Sequence, residues 1–582
     1  MGLENGTVED VVETIFKFGF VDYTVFGVML LVSAGIGVYF GFFANSENTT
    51  EEYLLGGKRM KTIPIAISLI ASQLSGIAIM TIPSEIYSYG ATYYFMVLSV
   101  IFVYPILCWI VVPVFYNNNI SNCYEYLELR FDKRTRQLIT MAFTLNVYLF
   151  IPVYIFIPAL AFSQVTGMNI HLINGVVCSI CIFYTMLGGI KAVVWTDVIQ
   201  GSIMVASVLV IAIFGIIKLG GINAVLSKAY EGGRLDLVTN LDFTTRATVW
   251  NTFLGGLLLW IGHAGLNQSC VQRIVALPSL KHAQRALLIF TTGLLLVLGF
   301  CCFTGIIMFG TYDDCDPVKA GLVAKPDKMM PYFVQDIVGH ISGMPGFFIS
   351  CVFSAALSTM SANLNSLAGV VYFDYIKPHI NHTEQKANFI MKILVVVTGA
   401  YCILAGWVVE QFTSILQMVI TIAGVTFGSV FGAFMMGFLI PKINSRGAFW
   451  AIVVSMTTMS VIIISGQIQL KYGNLKYDLL PSSIEGCENR NMTISDSAWA
   501  KIDAATVEPT PAIDPFDITK LSFHWYSVAG GLITTFVALF LSCILPETKG
   551  KKLDPKLFAP MIARKMKTED YTEVSLKEKY DI

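Results

Sequence analysis

"SQLSGIAIMTIPSEIY", residues 72–87, lies in an apolar stretch long enough to cross a bilayer, yet it holds Ser72, Gln73, Ser75, Gly76, Pro83, Ser84 and Glu85. An unsatisfied polar group is costly in hydrocarbon, so irregular backbone survives only where it meets protein or a wet cavity. Two readings follow. The stretch is a kinked packing helix, since Gly, Ser and Pro are common where membrane helices touch, or it is a helix interrupted at a binding site.

Composition sets the class. The chain is 55% hydrophobic and 13% charged, with mean hydropathy +0.67, which marks an all-α polytopic membrane protein lying in a lipid bilayer. A net charge of −1 and the lack of basic runs interleaved with aromatics exclude nucleic acid as a partner. The opening "MGLENGTVEDVVETIF" has no positive n-region or cleavage site, so the first span is expected to be retained.

At roughly 20 apolar residues per span, about thirteen transmembrane helices are expected. They begin with residues 23–43 and 63–83, then fall near 94–115, 137–164, 170–188, 195–217, 248–270, 287–310, 346–373, 390–409, 412–440, 447–466 and 523–545. An odd number puts the termini on opposite sides. The connections "GGKRMK", "LRFDKRTR", "GGIKA", "QRIVALPSLKHAQR", "FDYIKPHINHTEQK" and "PKINSR" carry the Lys and Arg, which makes their side cytoplasmic. Residues 1–21 are then an extracellular N-terminus, 22–545 the transmembrane domain, 467–522 an extracellular loop and 546–582 a polar, disordered cytoplasmic tail. Of the N-x-S/T matches at Asn5, Asn48, Asn119, Asn381 and Asn491, that side assignment leaves Asn491, with Asn5 behind it, as the glycosylation candidate. Cys315 and Cys487 fall in extracellular loops, where the compartment permits a disulfide. No cysteine spacing suggests zinc, and no nucleophile or base constellation suggests an enzyme.

Residues 253–273, "FLGGLLLWIGHAGLNQSCVQR", are interrupted like residues 72–87 and stand five spans later. Five is odd, so residues 62–218 and 247–440 are read as two inverted repeats whose first helices are both broken, the pattern that points to a midplane site. Within that segment His263 is either a proton relay or a histidine hydrogen-bonded in the bundle. In the ninth span, "FSAALSTMSANLNSLA", Ser354, Ser358, Ser361 and Asn365 recur at helical spacing. Ala355, Ser358 and Thr359 stand at i, i+3 and i+4, so a carbonyl and two hydroxyls either converge on one point or bond back along the helix. A neutral oxygen cage suits sodium, a hard monovalent cation.

Several motifs, in order, resemble the sodium/solute symporters that include glucose, iodide, monocarboxylate and multivitamin cotransporters. They are "EYLLGGKRM" (52–60), "PSEIYSYG" (83–90), "YEYLELRF" (124–131), "YTMLGGIKAVVWTDVIQ" (184–200), "NQSCVQR" (267–273) and "FSAALSTMSANLNSLA" (353–368). The likeness runs over roughly residues 20–545 and is strongest to the multivitamin, monocarboxylate and iodide branch. It implies a LeuT-type five-plus-five core, with co-transported Na+ held by the Ala71, Leu74 and Ala355 carbonyls and the Ser358 and Thr359 hydroxyls. It further implies a glutamine in iodide carriers, and a polar sugar contact in sugar carriers, where Ala78 stands here. An aromatic gate of sugar carriers is replaced by Cys270. A small organic anion remains, either a monocarboxylate or a vitamin such as biotin or pantothenate. Gln73, Ser75, Ala78, Asn267 and Gln268 are the expected substrate neighbours, and no arginine inside a span clamps a carboxylate. Asp197 is expected to latch the inner gate or to cap a helix, and Glu85 to serve the outer gate or to sit at the interface. Rivals are carriage of iodide or sugar, a non-transporting sensor on this scaffold, and a channel, against which the absence of repeated charges along the spans argues. The expected seat is the plasma membrane, N-terminus outside and C-terminus in the cytoplasm.

Overall fold

The structure, a computed structural model, describes residues 18–44, 49–118, 120–323, 326–380, 383–410, 415–475, 477–487, 517–545 and 553–566. Asn491 and the other N-x-S/T asparagines lie outside them. The described residues form helices and connections and contain no strand.

The principal helices are α1 (Phe20–Val38), α2 (Thr62–Gln73), α3 (Gly76–Tyr89), α4 (Lys133–Thr166), α5 (Ile170–Lys218), α6 (Val249–Gly265) and α7 (Gln268–Val275). They continue with α8 (Leu280–Thr311), α9 (Met344–Val371), α10 (Glu384–Glu410), α11 (Ile415–Leu439), α12 (Ser445–Lys471) and α13 (Tyr526–Ile544). Between α3 and α4 the chain crosses again over Ala91–Asn117. By length and apolarity, nine described helices suffice to cross a membrane, or ten with the pair α2 and α3, which are bent by 59°. The expected thirteen differ because the sequence reading splits α5 and adds two segments outside that count, Val249–Gly265 and the helix that ends at Leu439, of which Ala423–Leu439 is a shorter apolar helix.

Helix α5 is 49 residues long, but Gly189 (φ 52°, ψ −145°) leaves the helical region inside it. A side chain there would be strained in that conformation and would place its Cβ 2.6 Å from the Tyr53 carbonyl oxygen, so only glycine fits. This is the structural content of "GGIKA", which folds back on "EYLLGG": Tyr53 Oη donates to Thr185 O at 3.2 Å, and Lys191 pairs with Glu52.

The serine-bearing helix α9 is the centre of the molecule. Its span is 89% buried, against 28% for the spans of α1 and α13, and it packs on α1, α2, α3, α4, α5, α7 and α10. Small Ser, Ala and Gly side chains permit such close approach from every side. Helices α12 and α13 form a separate layer over α11. Exposed Phe20, Leu31, Phe43, Trp109, Trp407, Phe536 and Phe540 give the outside the apolar cover of a lipid-facing surface.

The connections gather at two ends. At one, Arg136 pairs with Asp374, Thr50 Oγ1 donates to Glu384 at 2.8 Å, and Met60 N donates to Ala276 O at 3.3 Å. At the other, the 218–247, 311–345 and 467–487 segments meet. Asp316 N donates to Ser483 O at 2.8 Å, and Cys315 and Cys487 are disulfide-bonded with their Cα atoms 4.8 Å apart. Part of the tail differs from expectation. Residues 553–566 are folded, with Leu557, Phe558 and Ala559 buried, because this short apolar triplet docks where Ala559 N reaches Phe438 O at 3.0 Å.

Candidate functional site

The break in the opening stretch is two residues wide. Leu74 (ψ 87°) and Ser75 (ψ 154°) leave the helical region, so the last carbonyls of α2 lose their next intrahelical donors. Ser75 then caps α3, its Oγ accepting from Ala78 N at 3.2 Å. The second interrupted segment repeats this device. α6 ends at Gly265, and Asn267 Oδ1 caps α7 by accepting from Ser269 N at 2.9 Å. Gln73 Nε2 lies 2.8 Å from Cys270 Sγ and ties the two breaks together.

A cavity of about 340 Å³ lies against both breaks. Gln73, Ser75, Ala78 and Asn267 line it, with His263, Asn146, Asn363, Trp260, Phe427 and His524 among the other walls. Among the described residues its lining contains no Lys, Arg, Asp or Glu. His263 is held inside the bundle, stacked on Phe427 with ring centroids 4.3 Å apart and with Nδ1 3.0 Å from Leu259 O. Gln268 does not reach this cavity. Its amide is used instead on the 118–123 connection, Oε1 accepting from Cys123 N at 2.8 Å and Nε2 donating to Ser121 O at 3.1 Å.

The sodium candidates lie where α9 meets α2. Thr359 Oγ1 is 3.2 Å from Ser72 O and 2.9 Å from Ala355 O. Ala71, Leu74, Ala355, Ser358 and Thr359 are all buried. Ser358 Oγ faces Asp197 but makes no hydrogen bond of its own among the described residues.

Asp197 lies eight residues beyond the kink at Gly189, inside α5, so it caps nothing. Its Oδ2 accepts from Ser68 Oγ at 2.6 Å and from Arg273 at 2.9 Å, and Arg273 also donates to Ser72 Oγ at 3.0 Å. The pair is buried, with 2% and 0% of the side chains exposed. Beyond the break, at the other end of the cavity, Arg246 makes two parallel bonds of 2.8 Å to Glu85. Its guanidinium lies over the rings of Tyr89 at 4.1 Å and of Tyr477 and Phe523 at 5.2 Å. Burial opposes the Arg246 charge, and Glu85 more than offsets it, so the guanidinium pKa stands above its ordinary value. Arg246, Trp260 and His524 carried no sequence signal. Arg246 and Glu85 are 161 residues apart, and His524 belongs to a span outside the expected repeats.

The chain matches the sodium:solute symporter family over residues 53–455. It is 34% identical over 545 residues to sodium-coupled monocarboxylate transporter 2 of Mus musculus, covering 93% of this chain and 86% of that one. It is 36% identical to sodium-coupled monocarboxylate transporter 1 of Homo sapiens, with 92% and 88% covered, and 33% identical to the human sodium/iodide cotransporter, with 94% and 87% covered. A solved Na+-coupled sialic acid symporter, in a substrate-bound outward-open state, superposes with a TM-score of 0.74 at 23% identity, over 92% of this chain and all of that one.

Proposed function

Because the chain belongs to the sodium:solute symporter family and is a sodium-coupled solute symporter of LeuT-type fold, we propose that it imports a short organic monocarboxylate with Na+ by alternating access. The seat of this import is the plasma membrane, with the Lys- and Arg-rich end and the C-terminus in the cytoplasm and the N-terminus outside.

One observation carries the substrate reading: Ser75 and Asn267, the caps of the two half-helices, line one small cavity. Two helix starts bring partial positive charge to its wall, which favours an anion without a clamping arginine. Apolar Ala78 suits a short alkyl tail. Two relatives carrying monocarboxylates by name support the same reading. Gln73, Ser75, Ala78 and Asn267 are the proposed substrate contacts.

The Ala71, Leu74 and Ala355 carbonyls, with the Ser358 and Thr359 hydroxyls, are the proposed Na+ ligands. An ion held between α2 and α9 fixes the break in the form that lines the cavity. Each Na+ moving inward gains about 2.3 kcal/mol per 100 mV from membrane potential, which drives uptake against a substrate gradient. Glu85–Arg246 is the proposed outer gate and Asp197–Arg273 the inner one. The 62–218 and 247–440 repeats are taken to move against each other, while the Cys315–Cys487 bond holds the outer loops and Asn491 carries glycan.

The test is tracer uptake of pyruvate, lactate, biotin, pantothenate, iodide and glucose by expressing cells in sodium or choline. Pyruvate and lactate entering only in sodium is the expected result. Sodium-dependent entry of iodide or glucose alone overturns the monocarboxylate reading.

A further inference from the structure

We propose that the substrate carboxylate is received by two uncharged ring N–H groups, Trp260 Nε1 and His524 Nε2, so that the final span, outside the ten-helix repeat, takes part in selecting the substrate. This rests on the reading of the substrate as an organic anion.

Both rings line the 340 Å³ cavity. Both nitrogens are buried and have no hydrogen-bond partner among the described residues, although buried polar groups in proteins are nearly always paired. An indole N–H can only donate. Whatever satisfies Trp260 is therefore an acceptor, and a carboxylate oxygen is a strong one. The arginines on either side of the break are already engaged, Arg246 by Glu85 and Arg273 by Asp197, so neutral donors are what the cavity itself offers. With its proton on Nε2, His524 is a second such donor.

The seating of His524 is specific. A Cβ on Gly255 of α6 would lie 2.1 Å from His524 O, so the glycine allows the start of the final span to press against the second repeat. The imidazole is then fixed between Phe523, 4.2 Å away by ring centroid, and Tyr93 at 5.9 Å. A neutral donor pair also favours discrimination. A carboxylate accepts from both groups, whereas the matching amide brings its own N–H and satisfies them less well.

The experiment measures lactate uptake, competed by lactamide, in the intact transporter, normalised to surface-labelled protein. Trp260→Phe keeps an aromatic ring on α6 and removes the N–H donor. His524→Ala removes the imidazole, and His524→Gln returns an N–H donor. Trp260→Phe and His524→Ala should each raise the lactate KM about tenfold, the usual effect of losing one hydrogen bond to a charged group. Half-saturation by Na+, measured at saturating lactate, should stay put, and His524→Gln should recover most of the loss. Unchanged KM in Trp260→Phe and His524→Ala, with lactate carried by the unmodified protein, overturns the inference. A protein that carries no monocarboxylate at all instead removes the reading on which the inference rests.

Discussion

Ser358 and Thr359 are neighbours in sequence with different tasks. Thr359 Oγ1 bridges toward Ser72 O and Ala355 O and so joins α9 to the end of α2, whereas Ser358 Oγ faces the Asp197 carboxyl and has no hydrogen-bond partner within bonding distance among the described residues. Ser358→Ala should therefore leave thermal stability within about 0.5 kcal/mol, as when no partner is orphaned, while raising the Na+ concentration for half-maximal uptake about tenfold. A sodium titration of uptake beside a melting curve of the purified protein separates the two effects, and an unchanged sodium midpoint would remove Ser358 from the ligand set. At Glu85 the geometry is of another kind. Two parallel bonds to Arg246 need the planar guanidinium fork, so Arg246→Lys keeps the charge but not the register. The lysine variant is expected to carry substrate with a lower maximal rate, and a rate equal to that of the unmodified protein would show that the fork is not part of the gate.

At the scale of elements, the broken helices were legible because their polar residues interrupt otherwise apolar spans, and the serine stripe of α9 because its period is helical. The roles of Arg130 and the tail were not legible. Arg130, inside "YEYLELRF", donates to Gly437, Ile440, Pro441 and Ile443 carbonyls at 2.9–3.3 Å. It thereby closes the C-terminal end of α11, and its guanidinium lies 4.9 Å from the Phe558 ring. No local pattern announces such a contact, since the partners lie more than 300 residues apart. Gln268 failed for a related reason: sequence places it beside the break, but its side-chain direction follows from the 118–123 connection it holds. Docking of the tail yields its own expectation. Phe558→Ala removes a buried ring and should cost about 3 kcal/mol or less, the lower end for a core phenylalanine, seen as a lower melting temperature with the sodium midpoint unmoved. A melting temperature equal to the parent's would mean the tail contributes nothing to the fold.

In the whole molecule the two ion pairs stand on opposite sides of one break, and α9 runs through the centre against both repeats. If these pairs are the gates of the proposed alternating access, one pair opens while the other holds. Removing the Asp197 charge leaves Arg273 buried without its counterion, which is destabilising by about 3–5 kcal/mol for a buried pair, and opening the inner end relieves it. Cys270 is placed to report this. It is buried, three residues before Arg273, with its Sγ beside Gln73. In Asp197→Asn a membrane-permeant thiol reagent should block uptake through Cys270 at least tenfold faster than in the parent, because a shift of about 1.4 kcal/mol already gives that factor. Na+ should slow the reaction by favouring the outward-open form, and Cys270→Ser should abolish it. Arg246→Gln loosens the opposite end and should slow the modification instead. Equal rates in Asp197→Asn and Arg246→Gln would mean that the two pairs do not bias one shared equilibrium, and the gates would have to be sought elsewhere in the fold.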